Sequence, residues 1–490
     1  MTAAAGVAYE PVIGLEIHVQ LKTRTKMFCG CELSFGDPPN THVCPVCLGL
    51  PGALPVINER AVQFAVQIGL ALGSEVAPRS LFHRKNYFYP DSPKGYQISQ
   101  YDVPVCGGGR LGDVRIHRVH LEEDAAKLVH VSHSGRIHGS DRSVVDFNRC
   151  GTPLVEIVSE PDLRSPAEAR EWLTLLRVTL RQLGVSDVNM DEGSLRCDAN
   201  VSVRPAGGDQ LGTKTELKNM NSFRFLERGV AAEIERQTAQ LREGRPVVQE
   251  TLHFDPASGR LTPLRSKEEA HDYRYFPEPD LVPLLVTEEM LEHARAELPE
   301  LPAARAARFE ADLRLHPDRA RELAFRADRA DYFETTLEQA GEGATAVQIA
   351  NWIPQLVQRI GADADPAASR VSPGALASLA TMVCAREISR DAAREVLSRL
   401  VADGGDPRAI VERERLGALR ADGGSDGEGD DGLAELVAGA IAADPDAAAK
   451  VRDGNLKAIG PLVGYVMRES KGRADGGEVT RLIRQQVARG

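Results

Sequence analysis

From residue 8 to about residue 290, hydrophobic and polar residues alternate in short runs separated by Gly and Pro, the period-2 signature of strands with one buried face. Residues 12–21 put Leu15, Ile17, Val19 and Leu21 on one face and Glu16, His18 and Gln20 on the other, because successive side chains of a strand point to opposite sides. Taken alone, that polar set reads as a solvated strand face, but the pattern recurs. In residues 119–124, His120, Glu122 and Asp124 share a face with Glu123 opposite, and Glu156 interrupts the apolar run 153–158. In residues 195–204, Cys197, Ala199, Val201 and Val203 oppose Arg196, Asp198, Asn200, Ser202 and Arg204, and Lys214, Glu216 and Lys218 form a polar row in the next strand.

The pattern predicts a mostly antiparallel, mixed α+β region broken by one helix. Ser165 caps it, Pro166 takes its first position, and Glu168 completes a Ser-x-x-Glu capping box. Ala169, Trp172, Leu173, Leu176, Leu180 and Leu183 follow at helical spacing up to Gly184. From about residue 297 the chain turns to Ala, Leu, Arg and Glu with helical periodicity, as in 302–329 and 373–402. The run 421–432 holds only Ala, Asp, Gly, Ser and Glu and has nothing to bury. The expected fold class is α+β: an N-terminal antiparallel-sheet cradle domain (1–294) with a cysteine-bearing insert, an all-helical domain (295–420), an acidic, solvated linker (421–432) and a small helical tail domain (433–490). A chain of 490 residues is too long for one compact core.

Charge narrows the function. The net charge of −12 has the wrong sign for a protein that coats nucleic acid through bulk electrostatics, so any such contact is local; the basic segment 455–473 with Lys457, Arg468, Lys471 and Arg473 is where it would be. No apolar run approaches the ~20 residues of a membrane span, and the opening Met-Thr-Ala-Ala-Ala-Gly has no signal-peptide character; a cytoplasmic location is expected. Eight cysteines are too few for a disulfide scaffold. Cys29-Gly-Cys31, twelve residues, and Cys44-Pro-Val-Cys47 have the paired spacing of a closed structural zinc site; reduced surface or core thiols are the alternative. Cys106, Cys150, Cys197 and Cys384 read as buried small residues.

If the strands share one sheet, its polar face gathers acids, imidazole, Asn and cations. Hard oxygens with an imidazole suit Mg²⁺, and neighbouring Lys and Arg suit phosphate. Together they point to metal-assisted phosphoryl transfer. The site would be nonstandard: residues 207–212 space two glycines like a phosphate loop, but Thr213 follows where Lys is required, and no Gly-x-Ser-x-Gly, His-Glu-x-x-His or kinase set is present. Residues 84–100 hold an unusual share of the aromatics, with Lys85, Tyr87, Tyr89, Asp91, Lys94 and Gln97. They read either as a stabilising tyrosine-rich loop or as the lining of a polar site or passage.

Several stretches resemble one family. They are Val-Ile-Gly-Leu-Glu-Ile-His-Val-Gln-Leu (12–21), Arg-Lys-Asn-Tyr-Phe-Tyr-Pro-Asp (84–91), His-Leu-Glu-Glu-Asp-Ala (120–125), Pro-Leu-Val-Glu-Ile-Val-Ser-Glu-Pro-Asp (153–162), Gly-Ser-Leu-Arg-Cys-Asp-Ala-Asn-Val-Ser (193–202) and Tyr-Arg-Tyr-Phe-Pro-Glu-Pro-Asp (273–280). In this order they resemble the B-subunit family of aspartyl/glutamyl-tRNA(Asn/Gln) amidotransferases. Lys-Ala-Ile-Gly-Pro-Leu-Val-Gly-Tyr-Val-Met (457–467) with Ser-Lys-Gly (470–472) resembles that family's tRNA-contacting tail. The resemblance implies an ATP- and Mg²⁺-dependent conversion of Glu-tRNA(Gln) or Asp-tRNA(Asn) to the amide through a phosphorylated carboxylate. It implies His18, Glu122 and Glu156 as Mg²⁺ ligands, with Glu16 and Asp198 serving a second cation or the nucleotide, and Lys85, Lys94 and Glu123 lining an ammonia passage. Arg196, Asn200, Lys214 and Glu216 are the expected nucleotide contacts, the four clustered cysteines a structural Zn²⁺ site, and Lys457, Lys471 and Arg473 the tRNA contacts. No glutaminase signature appears in this chain, so the resemblance also implies two partners in a heterotrimer: a separate glutaminase of the amidase type, the family's A component, and a small bridging protein, its C component. The competing class is a non-catalytic, zinc-stapled tRNA-binding adaptor. One departure is Ala126, where the family usually has Gly.

Overall fold

The computed structural model describes residues 7–131, 140–218, 220–265, 273–418, 432–470 and 473–489. The fold is α+β, with a mixed sheet in the N-terminal part and helices in the C-terminal part. The chain divides into two compact units, Met1–Leu301 and Pro302–Gly490.

The first unit is built on a ten-stranded sheet. Its order is Arg260–Arg265, Thr251–Asp255, Thr215–Lys218, Leu195–Pro205, Tyr9–Gln20, Pro153–Ser159, Val114–Glu123, Cys106–Gly107 and Glu75–Val76, with Arg110–Leu111 paired beside Val114–Glu123. All pairings are antiparallel except Thr215–Lys218 with Thr251–Asp255. The alternation in the sequence now has its cause. Ile13, Leu15, Ile17, Val19, Val119, Leu121, Val155, Ile157, Cys197, Ala199 and Val201 are almost wholly buried in one core, leaving the polar partners on the opposite face. Ala126 is buried and is not among the residues with positive φ, so the methyl group in place of glycine costs no backbone strain there.

Among the described residues, four α-helices, not one, belong to this unit: Glu59–Ala71, Pro166–Gln182, Phe223–Arg242 and Glu288–Ala296. The first is buried on most sides, at Ala61, Val62, Phe64, Ala65, Val66, Gln67, Ile68, Gly69 and Ala71, which leaves only a narrow polar stripe at Glu59, Arg60 and Gln63. Phe223–Arg242 turns Glu233 and Gln237 inward, where polar residues disguise the buried face. Pro166–Gln182 starts as expected, Ser165 accepting from the Glu168 amide at 3.1 Å. The box differs in one respect: the Glu168 carboxylate accepts from the Arg164 amide at 2.8 Å, one residue before the cap.

The second unit is helical. One buried cluster runs from Ala306 to Leu416 and another from Leu433 to Val487. Of the expected linker 421–432, all but Gly432 lies outside the described residues.

Candidate functional site

Strand register assembles the polar face. His18 lies opposite Glu156 on one side and Arg196 on the other, Glu156 lies opposite His120, and Glu16 lies opposite Asp198. Four adjacent positions, His120, Glu156, His18 and Arg196, therefore form a row across the sheet. His18 Nε2 is 3.3 Å from Glu156, 3.5 Å from Glu122 and 3.8 Å from Glu16. His120 Nε2 is 3.5 Å from the same Glu156 oxygen and 3.9 Å from Glu122. Two sets of ligand atoms, each mutually within 4.8 Å, share Glu156: Glu16, His18 and Glu156, and His120, Glu122 and Glu156.

The electrostatics follow from burial and crowding. Burial opposes charge on His18, but the hydrogen bond and charge of Glu156, with Glu122 and Glu16, outweigh it and hold the imidazole up to about 9. Burial, then Glu156 and Asp198, push Glu16 up to about 7 against the pull of His18. Glu156 itself is held well below the usual carboxylate range, His120, His18 and Arg118 overcoming its burial. His120 moves the other way, burial lowering its affinity for a proton. Its Nδ1 is buried without a hydrogen-bond partner among the described residues. A carboxylate-rich cluster of oxygen donors beside an imidazole is the donor chemistry a hard divalent cation takes, and a cation there would displace the proton that the acids hold on His18.

Cations frame these acids. Arg118 approaches Glu156 at 3.3 Å, Arg196 approaches Asp124 at 3.0 Å, and Lys218 contacts Asp198 at 3.0 Å and Glu216 at 3.3 Å. Asn200 lies opposite Glu216, whose carboxylate also accepts from Thr251 Oγ1 at 3.0 Å. Lys214 is exposed, just ahead of the Thr215–Lys218 strand.

Glu123 faces away from Glu122, as the strand period requires. It pairs with Lys94 and accepts from the Ile98 amide at 2.9 Å, and both side chains are almost fully buried. Lys85 Nζ lies 4.9 Å from the Tyr273 ring centroid, and Lys85 makes no ion pair among the described residues. Burial resists its charge, but Tyr275, Glu122 and Glu156 raise its proton affinity above that of an ordinary lysine.

The cysteines come together: the sulfurs of Cys29, Cys31, Cys44 and Cys47 lie within 4.8 Å of one another. A tetrahedral zinc–thiolate site needs about 3.8 Å between sulfurs, so the cluster is compatible with a structural zinc ion. The Cys44 amide donates to Cys47 Sγ at 3.2 Å, and the Cys29 thiol, the Cys44 amide and Lys26 pull Cys47 down to about 4 despite its burial. Cys106, Cys150 and Cys197 are buried as expected, whereas Cys384 is half-buried. In the second unit Lys457 is exposed, Arg473 Nε donates to the Ser470 carbonyl at 3.3 Å, and Lys471 lies outside the described residues.

Sequence reasoning selected Glu16, His18, Glu122 and Glu156, which converge, but passed over Arg118, His120, Asp124 and Lys218 as site residues. The period-2 rule that placed Glu122 also places Arg118 and His120 on its face.

Comparison with known proteins places the chain in a family. Residues 11–292 match the GatB/GatE catalytic domain and residues 331–487 the GatB domain. The chain is 50% identical to the aspartyl/glutamyl-tRNA(Asn/Gln) amidotransferase B subunit of Frankia casuarinae, over 98% of this chain and 96% of that protein. It is 48% identical to the protein of that name from Moorella thermoacetica, over 98% and 100%. It is 47% identical to the one from Thermosynechococcus vestitus, over 99% and 97%. No helix among the described residues is long and apolar enough to cross a membrane. With both family domains in order and near-complete coverage, the chain belongs to the family of aspartyl/glutamyl-tRNA(Asn/Gln) amidotransferase B subunits.

Proposed function

We propose that this chain carries the phosphorylating and amide-forming half of a tRNA-dependent amidotransferase. It takes Glu-tRNA(Gln), Asp-tRNA(Asn) or both, ATP, and ammonia released by a partner glutaminase in a complex that includes a small third protein. The observation that carries the reading is the meeting of Glu16, His18, Glu122 and Glu156 from three separate strands, on a partly buried face flanked by Arg118 and Arg196.

A side-chain carboxylate resists ammonia because its leaving group would be oxide. Attack of that carboxylate on the γ-phosphorus of ATP expels ADP and gives an acyl phosphate; ammonia then adds to the carbonyl and inorganic phosphate leaves. His18, Glu122 and Glu156 would hold Mg²⁺, with Glu16 and Asp198 serving a second cation or the nucleotide. Mg²⁺ bound there supplies positive charge to the phosphate oxygens. Arg196, Asn200, Lys214 and Glu216 orient the nucleotide, and the Arg guanidiniums offer paired donors suited to phosphate. The acyl phosphate hydrolyses in water, so the site has to exclude it; Lys85, Lys94 and Glu123 line a polar route for ammonia, with Lys94 and Glu123 paired away from Glu122 and Lys85 within the field of Glu122 and Glu156. The cysteine loop binds one structural zinc, which metal analysis of the purified protein tests. Lys457, Lys471 and Arg473 contact tRNA.

The test is γ-phosphate transfer in the assembled complex with Mg²⁺ and Glu-tRNA(Gln), without an ammonia donor. Label on the aminoacyl group, or ADP released only with charged tRNA, is expected from the wild type and lost in Glu122→Ala. Product formation that survives Glu122→Ala would favour a tRNA-binding adaptor, for which the buried acids have no use.

A further inference from the structure

The loop that carries the four cysteines also walls in Lys94 and Glu123. Gly49 sits at φ +67°, and a methyl group built there would overlap Lys94 Cγ and lie 3.0 Å from Lys94 Cα. The Phe28 ring lies 6.0 Å from Lys94 Nζ. On the other side, a methyl group built on Gly151 would lie 3.4 Å from Lys26 Cδ, 3.6 Å from Cys47 Cβ and 3.8 Å from Glu123 Oε2. The cysteine loop, the 150–151 turn and the Lys94–Glu123 pair therefore pack as one body. The Met27 amide donates to the Gly151 carbonyl at 2.8 Å, and Cys150 Sγ donates to the Cys47 carbonyl at 3.4 Å.

Lys26 lies at the centre of this packing. It is completely buried, and its Nζ donates to the His42 carbonyl at 2.8 Å, the Phe147 carbonyl at 3.2 Å and Cys47 Sγ at 3.7 Å. Among the described residues it has no carboxylate partner. A buried ammonium without a counter-charge is costly, and the anion within reach is the Cys47 sulfur, which Lys26 helps to hold as a thiolate. With a divalent ion bound, four thiolates would leave a net negative charge for the ammonium to answer, while its bonds to the His42 and Phe147 carbonyls join the loop to residue 147.

We propose that Lys26 is a positioning residue through which metal loading of the four-cysteine loop sets the Lys94–Glu123 pair. Amide formation then depends on the loaded loop, while phosphoryl transfer on the far side of the sheet does not. This rests on the reading of Lys94 and Glu123 as the ammonia route.

The experiment uses the assembled complex and reads two quantities: the rate at which a chromophoric chelator removes zinc, and the amide formed per ADP with glutamine as donor. Lys26→Met should release zinc roughly 10- to 100-fold faster, the range for loss of a group supporting a metal ligand. Its amide-to-ADP ratio should fall as it does in zinc-stripped wild type and return in neither without reloading. Gly49→Ala should keep zinc but lower the same ratio, because its methyl group displaces Lys94. Gly52→Ala is the control: it has the same left-handed backbone, φ +86°, with nothing within 4 Å of the added methyl, and should match wild type in both readings. If Lys26→Met does not fold, the Gly49→Ala and Gly52→Ala pair with zinc stripping still decides. Wild-type zinc retention in Lys26→Met, or equal coupling in Gly49→Ala and Gly52→Ala, overturns the proposal. Normal coupling in Lys94→Met would instead overturn the ammonia-route reading on which it stands.

Discussion

Glu156 is held between two imidazoles with opposite protonation tendencies, and its replacement tests both chemistry and stability. Glu156→Gln should lower ADP formation by on the order of 10²–10³-fold, the range for removal of one preorganised electrostatic group, measured with charged tRNA and Mg²⁺. In the metal-free protein, the raised proton affinity of His18 means that its proton stabilises the fold fully below 6.5, a contribution lost as pH rises through about 9. Glu16 acts in the same direction, its contribution fading between 4.5 and about 7. Denaturant midpoints of wild type should therefore decline from pH 5 to pH 9.5. Glu156→Gln, lacking the charge that raises both groups, should decline less; an unchanged slope would show that Glu156 does not govern them. The identities of Glu16, His18, Glu122 and Asp198 as face-sharing residues were legible because alternation is local. That Glu156 would stand between His18 and His120 was not, since register is decided by pairing between separate strands, here between positions 36 and 138 residues apart.

Elements were legible where one face was apolar and the other polar. The Pro166–Gln182 helix shows this, with Leu173, Leu176 and Leu180 fully buried and a cap at Ser165. Ser165→Ala should destabilise the first unit by about 1 kcal/mol, and Leu176→Ala by about 2–5 kcal/mol, both by chemical denaturation; equal effects would mean that packing does not dominate there. Glu59–Ala71 and Phe223–Arg242 escaped because one is buried on nearly all sides and the other buries hydrogen-bonded polar groups. Gln237 bridges the Val201 carbonyl at 3.0 Å and the Val203 amide at 3.1 Å, and Glu233 accepts from Thr215 Oγ1 at 2.6 Å. Gln237 faces inward to complete strand backbone bonding and Glu233 to satisfy a strand hydroxyl, which hydropathy alone does not register.

For the molecule as a whole, an overall charge of −12 makes any tRNA contact depend on where cations are concentrated. Removing residues 433–490 takes away a segment with its own buried cluster together with Lys457, Lys471 and Arg473. The truncated protein should keep the thermal transition of the first unit but bind tRNA more weakly and with a shallower salt dependence, read by filter binding at several ionic strengths. Unchanged affinity would remove the tail from tRNA recognition.

The central strand Tyr9–Gln20 is made about 175 residues before one of its two sheet neighbours, Leu195–Pro205. At roughly 5–20 residues per second, an apolar strand face waits on the order of ten to thirty seconds before its pairing is complete. Nascent chains stalled before residue 195 should therefore be protease-sensitive and chaperone-bound, and the sheet should close in a single late step during synthesis.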